Sequence, residues 1–394
     1  MLARSRLYVL VPRLHAGMPG WTPPLPTFRD DAVRRTAVPV LTAGLLPPWH
    51  PEWVCREVGL GELARIWPYD ARRLAVNHST PHAALVAAGP RWLRAWQKAE
   101  ERHGGARTGR LLTDSGGALR GPLAHGLALG AHLAVHNGLV WNRLGAVYQD
   151  YALDRARLRR PWGIQHRAEF RDRLGALMKN QLVGRVQEAV RRSRQTLATR
   201  LGRTPARAEW SEAVGRALAG RDAEDRAEAD RAEADRALHR FTRYEERFRA
   251  DGLLPPDGRV RTTVAYDYGR AVNLARWGLS ARYCTPAEAE RAIVHAGALS
   301  KSAHRSWEEF SSGYALGRVL RFDEEEYGPF YEQCVLAHRL LTESEGSPLR
   351  HIPCRCTRPA GPGRLCRVSG PAAGDGSCPG APPGSRRSAS PGVR

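Results

Sequence analysis

The chain has 394 residues, 42% of them hydrophobic, so it can bury a sizeable core and divide into two or three domains. Its net charge is +21, but nearly all of the basic residues are arginine, with lysine only at Lys98, Lys179 and Lys301. Alanine, glycine and proline are also abundant, a bias that GC-rich coding produces, so the charge total does not by itself point to nucleic acid, which needs a clustered basic face. No apolar run is long enough to span a bilayer and no secretory segment follows Met1, which predicts a cytoplasmic chain with no membrane partner.

In chain order, Arg6 to Val11 is a β-branched and aromatic run bounded by Pro12 and reads as a strand, followed by a Pro- and Gly-rich loop from Gly17 to Pro26. Val38 to Thr42 reads as a second strand, Gly59 to Trp67 as a short helix closed by Pro68, and Arg73 to Asn77 as a third strand entering a turn at Ser79-Thr80-Pro81. A helix from Pro90 to Arg102 ends at Gly104-Gly105. The order is that of a small α+β module. Leu7-Tyr-Val9, Val40-Leu-Thr-Ala43, Leu63 to Pro68 and Leu74 to Pro81 together resemble the SseB-type N-terminal domain of secretion-associated bacterial proteins, over roughly residues 5 to 88, with His78 and Ser79 departing from the usual turn. That resemblance implies a longer N-terminal lead than this chain has.

From Gly121-Pro122 a long helical pattern begins, with Leu123, Leu127, Leu133, Leu139 and Trp141 on a broad apolar face. His125, His132 and His136 fall on nearby angular positions of it; ligands from one straight helix rarely close a metal site, so these read as partly buried or solvent-edge histidines. Pro161-Trp162-Gly163-Ile164 marks a helix junction, residues 167 to 201 are a further helical region, and Thr204-Pro205 opens another with Trp210. Asp225 to Arg236 repeats Arg-Ala-Glu-Ala-Asp with a five-residue period that keeps no helix face in register, a solvated helix or a flexible linker. Leu238, Phe241, Tyr244 and Phe248 then form an aromatic stripe at helical spacing, the pattern of a core face.

The span from Thr262 to Leu320 carries three successive helix signals and reads as the centre of the chain. The first helix runs from Thr263 to Trp277 and stops at Gly278; Thr285-Pro286-Ala287-Glu288 and Ser306-Trp307-Glu308-Glu309 are capping boxes for the next two. Trp307 shares a face with Phe310 and Tyr314 and reads as a core anchor. Asp323 to Glu326 is read as the first turn of a further helix, where carboxylates complement the dipole, with Tyr327, Phe330, Tyr331, Cys334, His338 and Leu341 inside. Trp162-Gly-Ile164, Asp267-x-x-Arg270, Arg276-x-Gly278, Glu288-Ala289, and Ser306 to Phe310 with Tyr314-x-x-Gly317-Arg318 resemble the bacterial domain of unknown function 1266, in its long actinobacterial form with an SseB-like module, over roughly residues 110 to 353. The resemblance implies a mostly helical domain and no particular reaction.

The expected fold class is therefore α+β overall: an α+β module over residues 1 to 105, a mostly α-helical domain over 106 to 353, and a disordered tail over 354 to 394, rich in Pro, Gly, Arg and Cys, whose cysteines lack zinc-knuckle spacing. No P-loop, dinucleotide fingerprint, nucleophile elbow or zincin helix is present, so neither cofactor nor metal is expected. The leading expectation is a non-enzymatic interaction or accessory protein with a protein partner, Trp162, Trp307 and Tyr314 being candidate core or interaction anchors. The alternative is an enzyme or anion-binding protein using a charge cluster of Asp267, Arg270, Arg276, Glu308 and Arg318, if those groups converge in a cleft. Nucleic-acid binding would need Arg155, Arg157, Arg159, Arg160 and Arg191 to Arg194 to form one surface.

Overall fold

The computed structural model describes residues 2–13, 24–31, 34–48, 50–103, 109–145, 151–182, 185–218 and 224–354. The expected loop tip around Gly17, the Gly104-Gly105 helix end and the tail beyond Cys354 lie outside these residues.

Among the described residues, the N-terminal region forms a sheet of six strands: β1 (Leu7–Pro12), β2 (Phe28–Asp30), β3 (Arg35–Thr42), β4 (Trp53–Val58), β5 (Arg73–Val76) and β6 (Ala84–Ala87). The order is β4-β1-β3-β5-β6, with β3 and β5 parallel and the other pairs antiparallel; β2 shares with β1 the edge of β3 opposite β5. Strand alternation sorts β1 cleanly between two faces. Leu7, Val9 and Val11 face the core under α1 (Leu60–Arg65) and α2 (Pro90–His103), against Leu63 and Trp96, whereas Tyr8 packs on the other face against Leu46 and Cys55. The expected strands at β1, β3 and β5 and the two helices are found. Strands β2, β4 and β6 are not in the sequence reading, because β2 and β6 are short and the alternation of Trp53 to Val58 is broken by charged Arg56 and Glu57.

The helical region comprises α3 (Gly121–Leu129), α4 (Ala131–Asn137), α5 (Tyr151–Trp162), α6 (Arg167–Met178), α7 (Arg185–Leu201), α8 (Arg207–Leu218), α9 (Glu224–Ala250), α10 (Val264–Ser280), α11 (Pro286–Ala303), α12 (Trp307–Phe322), α13 (Pro329–Glu343) and the single turn α14 (Pro348–His351). Helix α10 is buried on nearly every side and packs against α3, α4, α5, α6, α11 and α12, so the centre of the chain is where the sequence puts it. A helix apolar all round would do this without cost; α10 instead buries Asp267, Arg270, Asn273 and Arg276, each of which needs a partner. Asn273 finds two by donating to the carbonyls of Gly269 and Gly130, the second at the break between α3 and α4, so the long helix expected from Gly121 is two.

Other expectations change. Helix α10 runs through Gly278 to Ser280, because that glycine serves packing: a Cβ there would lie 2.2 Å from the Phe170 ring of α6. Gly163, at φ 68° after Trp162, does end α5 with left-handed backbone, as the expected junction requires. The repeat from Asp225 is the first half of the 27-residue helix α9, and Ala234 is already buried, so the linker alternative fails. Its second half buries Leu238, Phe241, Tyr244 and Phe248, as expected. Thr285 and Glu288 form a complete capping box, whereas at Ser306 only the side-chain bond from the Glu309 amide forms. Asp323 caps the C-terminal end of α12, and positive φ angles at Glu324, Glu325 and Tyr327 make the acidic run a turn before α13, not its first helical turn. Asp323 is held there by the Tyr244 hydroxyl at 2.8 Å and the Tyr327 amide at 3.0 Å, and Phe330, expected inside, is 44% exposed.

Candidate functional site

A buried polar latch joins the sheet region to the helices. Arg143 donates to Asp114 at 2.6 Å and to the carbonyls of Leu46 and Pro47, while Asn142 exchanges two hydrogen bonds with the Asp114 backbone at 2.7 and 2.8 Å. Arg6, just before β1, spans the same seam by donating to Glu57 and to the Asn137 carbonyl at the end of α4, each at 2.8 Å. These contacts hold the sheet against the end of α4, and beside them side chains of the sheet, α5 and α10 line a cavity of about 450 Å³, within the size range of small-molecule pockets.

The cavity is amphipathic. Trp162, at the end of α5, and Trp277, on α10, present rings 6.5 Å apart and inclined at 60°, with Leu139, Val140 and Leu144 beside them. Its charged lining is Arg6, Arg157 and Arg276 against Glu57 and Asp154. Glu57 is engaged by Arg6, and Asp154 lies 3.5 Å from Arg157 one helical turn away. Arg276, unlike the other two arginines, faces no carboxylate: it is 8% exposed, its Nη2 donates to the Val140 carbonyl, and its Nη1, like the Arg6 Nε, is buried with no hydrogen-bond partner. Burial alone pulls its guanidinium down to about 10, with no carboxylate opposing the shift. A buried cation without a counter-ion costs several kcal/mol, roughly, and an anion entering the cavity would remove much of that cost.

The five charged residues of the alternative reading do not meet in one cleft. Asp267 and Arg276 are nine residues apart on one helix, about two and a half turns, so they point to opposite sides. Asp267 and Arg270, three apart, form a buried ion pair, and the Arg270 guanidinium lies 4.3 Å from the Tyr266 ring and 5.8 Å from that of Trp162. The pair borders a second cavity, of about 400 Å³, with Arg321 and Phe322. Arg318 donates to His136 at 3.0 Å, which requires a neutral imidazole there, and burial and Arg318 together hold His136 down to about 4. Glu308 is exposed on the first turn of α12.

The aromatic candidates divide similarly. Trp162 lines the seam cavity, but Trp307 is 4% exposed and donates its indole N–H to the Ile352 carbonyl at 2.6 Å. Tyr314 is 1% exposed, stacked 4.4 Å from His132. Both belong to the core. The histidines of α3 and α4 go to different partners: His125 to the Pro353 carbonyl, His136 to Arg318, and His132 to the hydroxyl of Ser311, which also lies 2.9 Å from His338. Among the described residues no three His, Cys, Asp or Glu side chains are placed to hold a metal ion, and Cys55, Cys284 and Cys334 form no disulfide.

A family model described as a protein of unknown function, DUF1266, matches residues 157–354, half of the chain. The chain belongs to this family. No curated protein and no solved structure matches it. The DUF1266 match supplies Arg157, Pro161, Trp162, Arg276 and Trp277 to the seam cavity, and residues preceding it supply Arg6, Glu57, Asn137 and Asp154. Arg6, Glu57 and Asp154 were not candidates in the sequence. Nothing in their local pattern marks them, since an arginine before a strand and a glutamate within one read as solvent-facing residues. Among the described helices none is long and apolar enough to cross a membrane.

Proposed function

We propose that this DUF1266 protein is a non-enzymatic binding protein whose ligand is a small organic anion with a flat apolar body, held in the seam cavity. Arg276 carries the reading, because its buried guanidinium has a spare donor and no acid to answer it. The anionic group would take that donor, and the body would lie along Trp162 and Trp277, whose large faces give contact area with little side-chain entropy to lose. Arg6 and Arg157 add positive potential at the wall, but both already face carboxylates, so they steer the ligand more than they bind it. Binding is favoured over chemistry because each of the cavity's two acids, Glu57 and Asp154, faces an arginine of the wall.

The test is a thermal-shift screen of aromatic carboxylates and phosphates on the full chain, repeated on Arg276→Met. Hits whose stabilisation disappears in the variant support the reading; hits that stabilise both proteins equally place the ligand elsewhere.

A protein-interaction role is the second reading, and exposed apolar side chains on the sheet favour it. Trp53, on edge strand β4, and Leu10, on neighbouring β1, are 45% and 37% exposed and flank a groove of about 200 Å³ with Pro47 and Pro48. The SseB-like pattern of residues 5 to 88 supports an accessory role of this kind in a bacterial secretion-associated or conflict setting. Trp53→Ser would abolish co-purification with such a partner and leave the anion response intact. The nucleic-acid reading has less support, since Arg157 and Arg194 line different cavities.

A further inference from the structure

A second basic cavity, of about 330 Å³, lies in the helical region away from the seam and shares no lining residue with it. Arg194 lines it from α7, Arg259 and Arg261 from the segment leading into α10, and Arg305 from the link between α11 and α12. Two carboxylates offset part of this charge. Glu245 of α9 takes Arg194 in a two-pronged pair at 2.7 Å for each bond and also accepts from the Val260 amide at 2.9 Å; Glu309 lies 3.4 Å from Arg261. Four guanidinium groups and two carboxylates leave a formal charge of +2 around the cavity.

Arg194 is held by Glu245 and the backbone beside Arg259 is pinned, while Arg305 is exposed. Arg249 donates to the Gly258 carbonyl at 3.0 Å, and Glu245 grips the Val260 amide, so the backbone on both sides of Arg259 is fixed. The Arg259 Nη1 is buried and meets no acceptor. Burial first, and then Arg194 and Arg261 against the pull of Glu245, press its guanidinium below the ordinary arginine range. Arg194 and Arg261 close to Arg259, with a donor of Arg259 left unused, are a cost to the fold that a dianion would remove. Gln195 and Thr199, one turn apart on α7, add neutral polar groups at the rim.

We infer that the cavity formed by Arg194, Arg259, Arg261 and Arg305 binds the phosphate group of a small phosphorylated molecule. The charge of +2 matches a phosphate monoester, which carries about −1.5 to −2 near pH 7, and planar guanidinium forks match its oxygens two at a time. This inference does not rest on the seam cavity, and its test separates the two.

The experiment is calorimetric titration of the full chain with inorganic phosphate at low salt, against Arg259→Gln/Arg305→Gln and against Arg276→Met. Saturable binding is expected, weakened about tenfold or more in the double variant, as loss of charged hydrogen bonds should do, and unchanged in Arg276→Met. Equal affinity for parent and double variant, or loss in Arg276→Met, overturns the inference. So does a polynucleotide that binds more tightly than phosphate with the same arginine dependence, since the surface would then be a nucleic-acid face. If the double variant does not fold, Arg305→Gln alone, at an exposed side chain, reads the same loss.

Discussion

The seam latch and the seam cavity lie side by side, and each buries an arginine. Arg143 faces Asp114 and two carbonyls, while Arg276 has one carbonyl and a spare Nη1. The core under Trp307 resembles the latch: His132, Ser311 and His338 satisfy one another, and Trp307 finds the Ile352 carbonyl. Polar groups that answer each other inside the protein hold its shape, and a buried cation left over is where a ligand has something to add.

The strongest way to break the comparison is at its closed end. Trp307→Ala should cost about 3 to 5 kcal/mol, much of a domain's stability, and give insoluble or molten protein; a soluble variant with the parent's melting temperature would show that the ring is not an anchor. Asp114→Ala should cost a similar amount, about 3 to 5 kcal/mol, because it strands the Arg143 charge. Urea unfolding should show much of that loss recovered in Asp114→Ala/Arg143→Met, and no recovery would mean that the latch depends on more than charge.

Acid is the next lever. Burial keeps His304 and His338 neutral, each down to about 4, and holds His132 well below its ordinary range, whereas in the unfolded chain all three titrate near 6.5. The unfolded state therefore binds more protons between these values. Stability should be complete above pH 6.5 and fall, by about 1.4 kcal/mol per pH unit for each histidine, as pH drops towards 4. A melting temperature level from pH 7 to pH 5 would contradict this.

The smallest expected effect sharpens the comparison most. Arg276→Met removes a buried charge with no acid partner and keeps apolar volume, so stability should stay within about 1 kcal/mol of the parent or rise. A loss as large as that of Asp114→Ala would show that Arg276 has an internal acid partner after all, and that the cavity is architecture.

Much of this was legible in the sequence because it is local. The helix signals from Thr262 to Leu320, the cap at Thr285, the stripe from Leu238 to Phe248 and the anchor at Trp307 follow from spacing and from residue types whose chemistry acts within one turn. Helical phase also carried a warning that the charged candidates would part, since residues nine apart on α10 cannot share a face. Other points were out of reach. Gly278 looks like a helix stop until Phe170 of α6 fills the space its missing side chain leaves, and Asp323 to Glu326 look like a helix start until Tyr244, 79 residues earlier, holds the turn.

The sequence by itself determined the class of fold, the central helices and most of the core, because apolar periodicity and capping act over a few residues. Tertiary structure alone decided which charges are answered. Asp114 and Arg143 are 29 residues apart, Arg194 and Glu245 51, and Arg6 and Asn137 131. Coulombic and hydrogen-bonding partners are set by distance in space, so whether an arginine is a strut or a binding site is settled only when the chain has closed around it.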